Sequence, residues 1–67
     1  MRYAVFLYGT QADYGTSMMF SKLENARNFA SISTAQAEIN APGYTYWATL
    51  IDTKSEAVFN YRNGAEI

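Results

Sequence analysis

After Arg2 the chain runs Y-A-V-F-L-Y with no charged residue, so an extended backbone over residues 2–8 is apolar on both sides: Tyr3, Val5 and Leu7 on one, Ala4, Phe6 and Tyr8 on the other. A strand of that kind belongs in the middle of a sheet with cover on each face. Residues 9–15, G-T-Q-A-D-Y-G, are bounded by two glycines and read as a connecting loop. Residues 16–20 form a short second strand, with Met18 and Phe20 alternating against Met19, and the loop lets it pair with the first. The period then changes. In F-S-K-L-E-N-A-R-N-F-A, Ser21 and Glu24 have the spacing of a capping box, in which the serine oxygen accepts from a free N–H of the first turn and the glutamate reaches back. The helix is predicted to begin at Lys22 and to stop by Asn40, because Pro42 restricts the residue before it.

Leu23, Ala26, Ala30, Ser33 and Ala37 recur at steps of three and four along this helix, with Phe29 beside them. Small residues on that stripe let the helix approach a sheet closely, while Leu23 and Phe29 contribute most of the buried area at roughly 25 cal/mol per Å². The middle of the helix is weaker. Ser31, Ile32, Ser33 and Thr34 have low helix preference, and Ser33 with Gln36 repeats the capping spacing, which leaves open a kink or a break at Ser33.

Residues 44–51, Y-T-Y-W-A-T-L-I, are the strongest strand by β-branched and aromatic content. Residues 52–55 are a polar turn, and Ala57, Phe59 and Tyr61 alternate with Val58, Asn60 and Arg62 in a last strand, giving a hairpin. An even loop sets Leu50, Ala48 and Tyr46 beside Ala57, Phe59 and Tyr61; an odd one brings Ile51, Thr49 and Trp47 there instead. Residues 63–67 read as a frayed tail. The order strand, strand, helix, strand, strand defines one α+β domain over residues 1–67: a two-layer ββαββ fold, with one antiparallel four-stranded sheet and one helix across one face. One helix covers one face only, so the other is expected to expose aromatic surface.

Length sharpens that expectation. A chain of 67 residues buries only about 60% of the surface its unfolded form exposes, and without cysteine or histidine it has no disulfide, thiolate or imidazole site to hold it together. Apolar residues at 49% against charged residues at 16% exclude disorder, and self-association, a bound partner or tight packing must supply the missing support. The net charge of -1, with both signs scattered, gives no footprint for duplex DNA. The first apolar run is too short for a secretory signal or a membrane span, so a cytoplasmic protein is expected, with no membrane partner.

Catalytic options are few. Without histidine or cysteine only carboxylates remain for acid–base work, and the one close pair, Asp52 and Glu56, flanks a polar turn where solvated carboxylates are ordinary. Asp13 and Tyr14 sit in a glycine-flanked loop that lacks the Gly-Lys-Ser/Thr of a phosphate loop. No serine has a base to activate it. No catalytic residue, metal site or cofactor is expected.

The aromatic residues carry the functional reading. Tyr3, Tyr8, Tyr44, Tyr46, Trp47 and Tyr61 are the candidate protein-binding residues, since Tyr and Trp supply much interface energy at low entropy cost. The alternative is stacking on unpaired bases of a single-stranded nucleic acid, for which only Arg2 and Arg62 lie near enough to meet phosphates. Over residues 20–54, the capped helix F-S-x-L-E-x-A-x-x-F-A, the Pro-Gly turn and the aromatic strand ending I-D-T-K resemble small phage-encoded and mobile-element accessory proteins. That resemblance implies a non-enzymatic factor that inhibits or adapts a host protein by occupying its surface in the host cytoplasm; apart from it, so few charges and one helix over four strands lead to the expectation of a homodimer, or of an aromatic sheet face left exposed. The resemblance assigns no residue a role.

Overall fold

The early apolar run becomes β1 (Tyr3–Gly9), and its place in the sheet accounts for its composition: it pairs antiparallel with β2 (Gly15–Phe20) on one side and with β3 (Tyr46–Asp52) on the other. The structure, a computed structural model, describes residues 1–10 and 15–67. Between β2 and β3 runs α1 (Leu23–Asn40), and β3 is followed by β4 (Val58–Arg62) and β5 (Ala65–Glu66). The strands form one antiparallel sheet in the order β2-β1-β3-β4-β5. The α+β architecture is the expected one, with a fifth strand added.

The fifth strand corrects the reading of residues 63–67 as a frayed tail. Asn63 and Gly64 both have positive φ, 47° and 93°, and join Arg62 to its partner Ala65 as a two-residue turn. Paired positive φ values match the twist of the flanking strands, and Asn-Gly is the sequence that tolerates them. The first residue of the turn is fastened to β3 by two bonds. The Asn63 amide carboxamide oxygen accepts from the Tyr46 N–H at 2.9 Å, and the Tyr46 carbonyl accepts from the Asn63 N–H at 2.9 Å.

The hairpin of β3 and β4 takes the even loop, with Ala48 opposite Tyr61 and Leu50 opposite Phe59. Tyr3, Val5, Leu7, Tyr46, Ala48, Leu50 and Tyr61 therefore line one face, where α1 covers them with Ala26 and Ala30. Phe20, Leu23, Phe29 and Phe59 pack around the margin of that core. Alanine on the helix and in mid-strand lets the two layers close up, as the small-residue stripe predicts.

Two features of the helix differ from expectation. It begins one residue later, at Leu23, and Ser21 is not its cap. Lys22 holds the cap position in extended backbone (φ -117°, ψ 134°) without any side-chain capping bond, and its carbonyl accepts the first helical N–H, from Ala26. The Phe20 ring stays on β2 and packs against Phe29 at 5.2 Å, so Ser21 and Lys22 are used in turning the chain. Glu24 still lies in the first turn, where its charge favours the helix N-terminus. Second, α1 is continuous through Ser33. The weak middle has tertiary partners instead: Ser31 Oγ donates to the Gly64 carbonyl at 2.7 Å, and Thr34 Oγ1, fully buried, accepts from the Gly64 N–H at 2.8 Å while donating to the Ala30 carbonyl at 2.9 Å.

The expectation of cover on both sides of β1 fails. With α1 on one face only, Phe6 is 43% and Tyr8 45% exposed. The loop predicted over residues 9–15 lies mostly outside the described residues, as does the Asp13–Tyr14 pair.

Candidate functional site

Register turns the uncovered face into a grid. Because side chains alternate, the residues that face away from α1 are Ala4, Phe6 and Tyr8 on β1, Ser17 and Met19 on β2, Trp47, Thr49 and Ile51 on β3, and Val58, Asn60 and Arg62 on β4. Cross-strand partners align them in three rows. Met19, Ala4, Ile51 and Val58 form an apolar row; Ser17, Phe6, Thr49 and Asn60 a mixed one; Tyr8, Trp47 and Arg62 an aromatic row ending in a cation. Met19 and Val58 are exposed, and Ala4, small and central, is buried beneath its neighbours.

Contacts within the aromatic and mixed rows, and one between them, hold these side chains. Tyr8 and Trp47 stack with ring centroids 5.7 Å apart and an interplanar angle of 17°. The Tyr8 hydroxyl and Thr49 Oγ1 lie 3.4 Å apart, and Thr49 Oγ1 donates to the Asn60 side-chain oxygen at 3.2 Å. These bonds fix the rings before any partner arrives, which lowers the entropy cost of binding. Arg62 is the one charged side chain on these rows.

The six candidate rings divide. Tyr8 and Trp47 lie on the open face, and Tyr44, 45% exposed, stands just ahead of β3 with its ring 6.5 Å from that of Tyr46. Tyr3, Tyr46 and Tyr61 lie under α1 in the core and present no ring to a partner. Burial, and then the bond its hydroxyl donates to Glu66 at 2.9 Å, push the Tyr61 pKa upward. Arg27 completes that corner, 3.4 Å from Glu66 and over the Phe59 ring. Phe6, Met19, Ile51 and Val58 belong to the open face but escaped the sequence reading, which set out both faces without a means to choose between them. Their parity with Tyr8 and Trp47 was the available signal.

The carboxylates have structural partners. Arg2 donates to both oxygens of Asp52, Nε and Nη2 each at 2.8 Å, and Asp52 Oδ1 also accepts from the Lys54 and Ser55 N–H groups. The bidentate bond to Arg2 is the main reason the Asp52 carboxyl is held well below the usual carboxylate range, and the same bond raises the Arg2 pKa. Asp52 thus shapes the β3–β4 turn, and Arg2, which also lies 5.3 Å from the Tyr3 ring, is drawn away from the open face. Glu56 is exposed, with a positive φ of 66°.

A pH dependence follows. Asp52 binds its proton more readily in the unfolded chain, so its contribution to stability is complete above the unfolded value of about 3.9 and falls as pH drops through the folded one. Thermal midpoints should decline steadily from about pH 5 down to pH 2. Asp52→Asn should flatten that decline; an equally steep profile in this variant would show that other carboxylates cause it.

A second feature lies on the helix side. The C-terminal half of α1 leaves β2 uncovered, and an apolar cleft of about 520 Å³ opens between them, lined by Leu7, Thr16 and Met18 from the sheet and by Phe29, Ser33 and Ala37 from the helix, among others. Among the described residues no three metal-ligating side chains converge, and no helix is long and apolar enough to cross a membrane.

Fold and site together define a small α+β domain, one antiparallel sheet under one helix, whose second sheet face is apolar and open. No protein-family model, curated protein or solved structure matches the chain.

Proposed function

We propose that this chain is a small non-enzymatic protein-binding factor that seats a partner on its open sheet face. In the reading suggested by its resemblance to phage and mobile-element accessory proteins, it works in the host cytoplasm and inhibits or adapts a host protein. The observation that carries the proposal is the three-row grid: exposed Phe6, Tyr8, Met19 and Val58 around the stacked Tyr8–Trp47 pair, with a single charge at one corner. Contiguous apolar surface with rigid aromatic anchors is characteristic of protein interfaces.

The aromatic row beside Arg62 also favours a second reading, stacking on single-stranded nucleic acid. Charge weighs against it. With Arg2 bound to Asp52, the face has one cation to offer, and non-specific binders with many more phosphate contacts reach only about 10⁻⁴ to 10⁻⁶ M.

Capture from a bacterial lysate, repeated with Trp47→Ala, tests both. A stoichiometric protein partner is expected, and the variant should bind it at least tenfold more weakly, about 1.4 kcal/mol. Oligonucleotide affinity should stay weaker than about 10 μM at physiological salt. Submicromolar binding to single-stranded DNA or RNA, lost in Arg62→Ala, would reverse the assignment.

A further inference from the structure

Beyond the open face, we infer a second binding site at the free edge of β2, which accepts an extended, uncharged peptide segment of another protein as a sixth strand, with an apolar side chain turned toward the cleft beside α1. Three observations converge on this occupant.

The first is the backbone. In an antiparallel ladder, hydrogen-bonded pairs recur at every second residue. The Thr53 N–H donates to the Arg2 carbonyl, and the Thr10 N–H to the Thr45 carbonyl, so the even-numbered residues of β1 bond to β3. Its odd-numbered residues then bond to β2, which engages Thr16, Met18 and Phe20. Ser17 and Met19 are left with their N–H and C=O groups pointing out of the sheet. β2 is the terminal strand, so these groups form a template for another strand.

The second is the cleft. Residues of an added strand that lie opposite Met18 would place their side chains on the helix side, next to the open flank of the 520 Å³ cleft. Met18 is 47% exposed there, so the approach is clear. Backbone bonds would supply affinity, and the cleft would select the side chain, the division of labour seen in strand addition generally.

The third is charge. Among the described residues, neither β2 nor the lining of the cleft includes an aspartate, glutamate, lysine or arginine. A charged side chain entering the cleft would lose its hydration without meeting a counter-charge among these residues, so the edge suits an uncharged segment. A second copy of the chain is a poorer fit. Pairing two six-residue edges brings together a strip about 20 Å long and about 10 Å across, roughly 200 Å² per partner, well short of the roughly 800 Å² that stable association requires.

The test is amide hydrogen exchange on the full chain with about 2 mM of a capped peptide alternating threonine and leucine, against the same peptide with aspartate for leucine, in the millimolar range where weak strand addition registers. The leucine peptide should slow exchange at the Ser17 and Met19 amides at least tenfold; the aspartate peptide should not. Met19→Pro deletes an outward donor without removing a β1–β2 bond, and Met18→Lys charges the mouth of the cleft; each should abolish the protection while the α1 amides exchange as before. No protection with the leucine peptide, or protection that survives both variants, would overturn the site. So would protection that rises with protein concentration in the absence of peptide, since that result would assign the edge to a second copy.

Discussion

Gly64→Ala is expected to lower stability by about 3 kcal/mol, the sum of backbone strain and overpacking. Gly64 has φ 93°, a region side chains rarely occupy, and a Cβ built there would lie 2.8 Å from the Ala35 Cβ on α1. Neither atom has freedom to withdraw. Ala35 belongs to a helix fixed by its own ladder, and Gly64 is tied to that helix by Ser31 and Thr34. Gly43 provides an internal comparison, because its φ is nearly the same, 96°, yet nothing lies within 4 Å of its built Cβ. Gly43→Ala should cost only the conformational part, about 1 kcal/mol. For a domain of this size about 1 kcal/mol shifts the thermal midpoint by roughly 4–8 °C, so the two variants should separate clearly in a melting experiment. Equal shifts would mean that the approach to Ala35 does not limit this turn.

Thr34→Val should cost about 2 kcal/mol although the side chain keeps its shape. Thr34 is fully buried, and its hydroxyl receives the Gly64 N–H. Valine fills the same space but offers no oxygen, which leaves that donor facing a methyl group. Thr34→Ser retains the hydroxyl and loses only a methyl, so it should be the milder change of the two. Chemical denaturation of both variants decides the point: a valine variant at least as stable as the serine one would show that packing, not the hydrogen bond, secures the last hairpin.

Much of this architecture was legible in the sequence because it rests on periodicity. The helix announces itself through Ala26, Ala30 and their neighbours, and the β3–β4 hairpin through alternation over residues 44–62. What periodicity does not encode was harder to read. Tyr3, Val5 and Leu7 are scarcely more apolar than Ala4, Phe6 and Tyr8, so the strand itself does not say which side the helix will take. That choice decides which aromatic rings are core and which are surface. Ser31 and Thr34 look like helix breakers when α1 is considered alone; their partner, Gly64, lies about thirty residues away. Asn63-Gly64 was a strong turn signal in plain view, but the strand after it has two residues, too few to show an alternation. The Ser21 cap failed for a local reason, since the contact of Phe20 with Phe29 governs where the chain turns.

The strand order also has a kinetic consequence. β1 and β2 can pair early, as can β3 and β4, because each pair is close in sequence. The seam between the two hairpins is β1 against β3, where Tyr3 meets Asp52 and Gly9 meets Tyr46 across the entire intervening helix. Closing that seam costs chain entropy before it returns any contact, which makes this mixed domain slower to fold than a helical one of its size. Until the seam closes, β1 and β3 each have an unpaired edge, and the newly made chain is most vulnerable to pairing with the wrong neighbour during that interval.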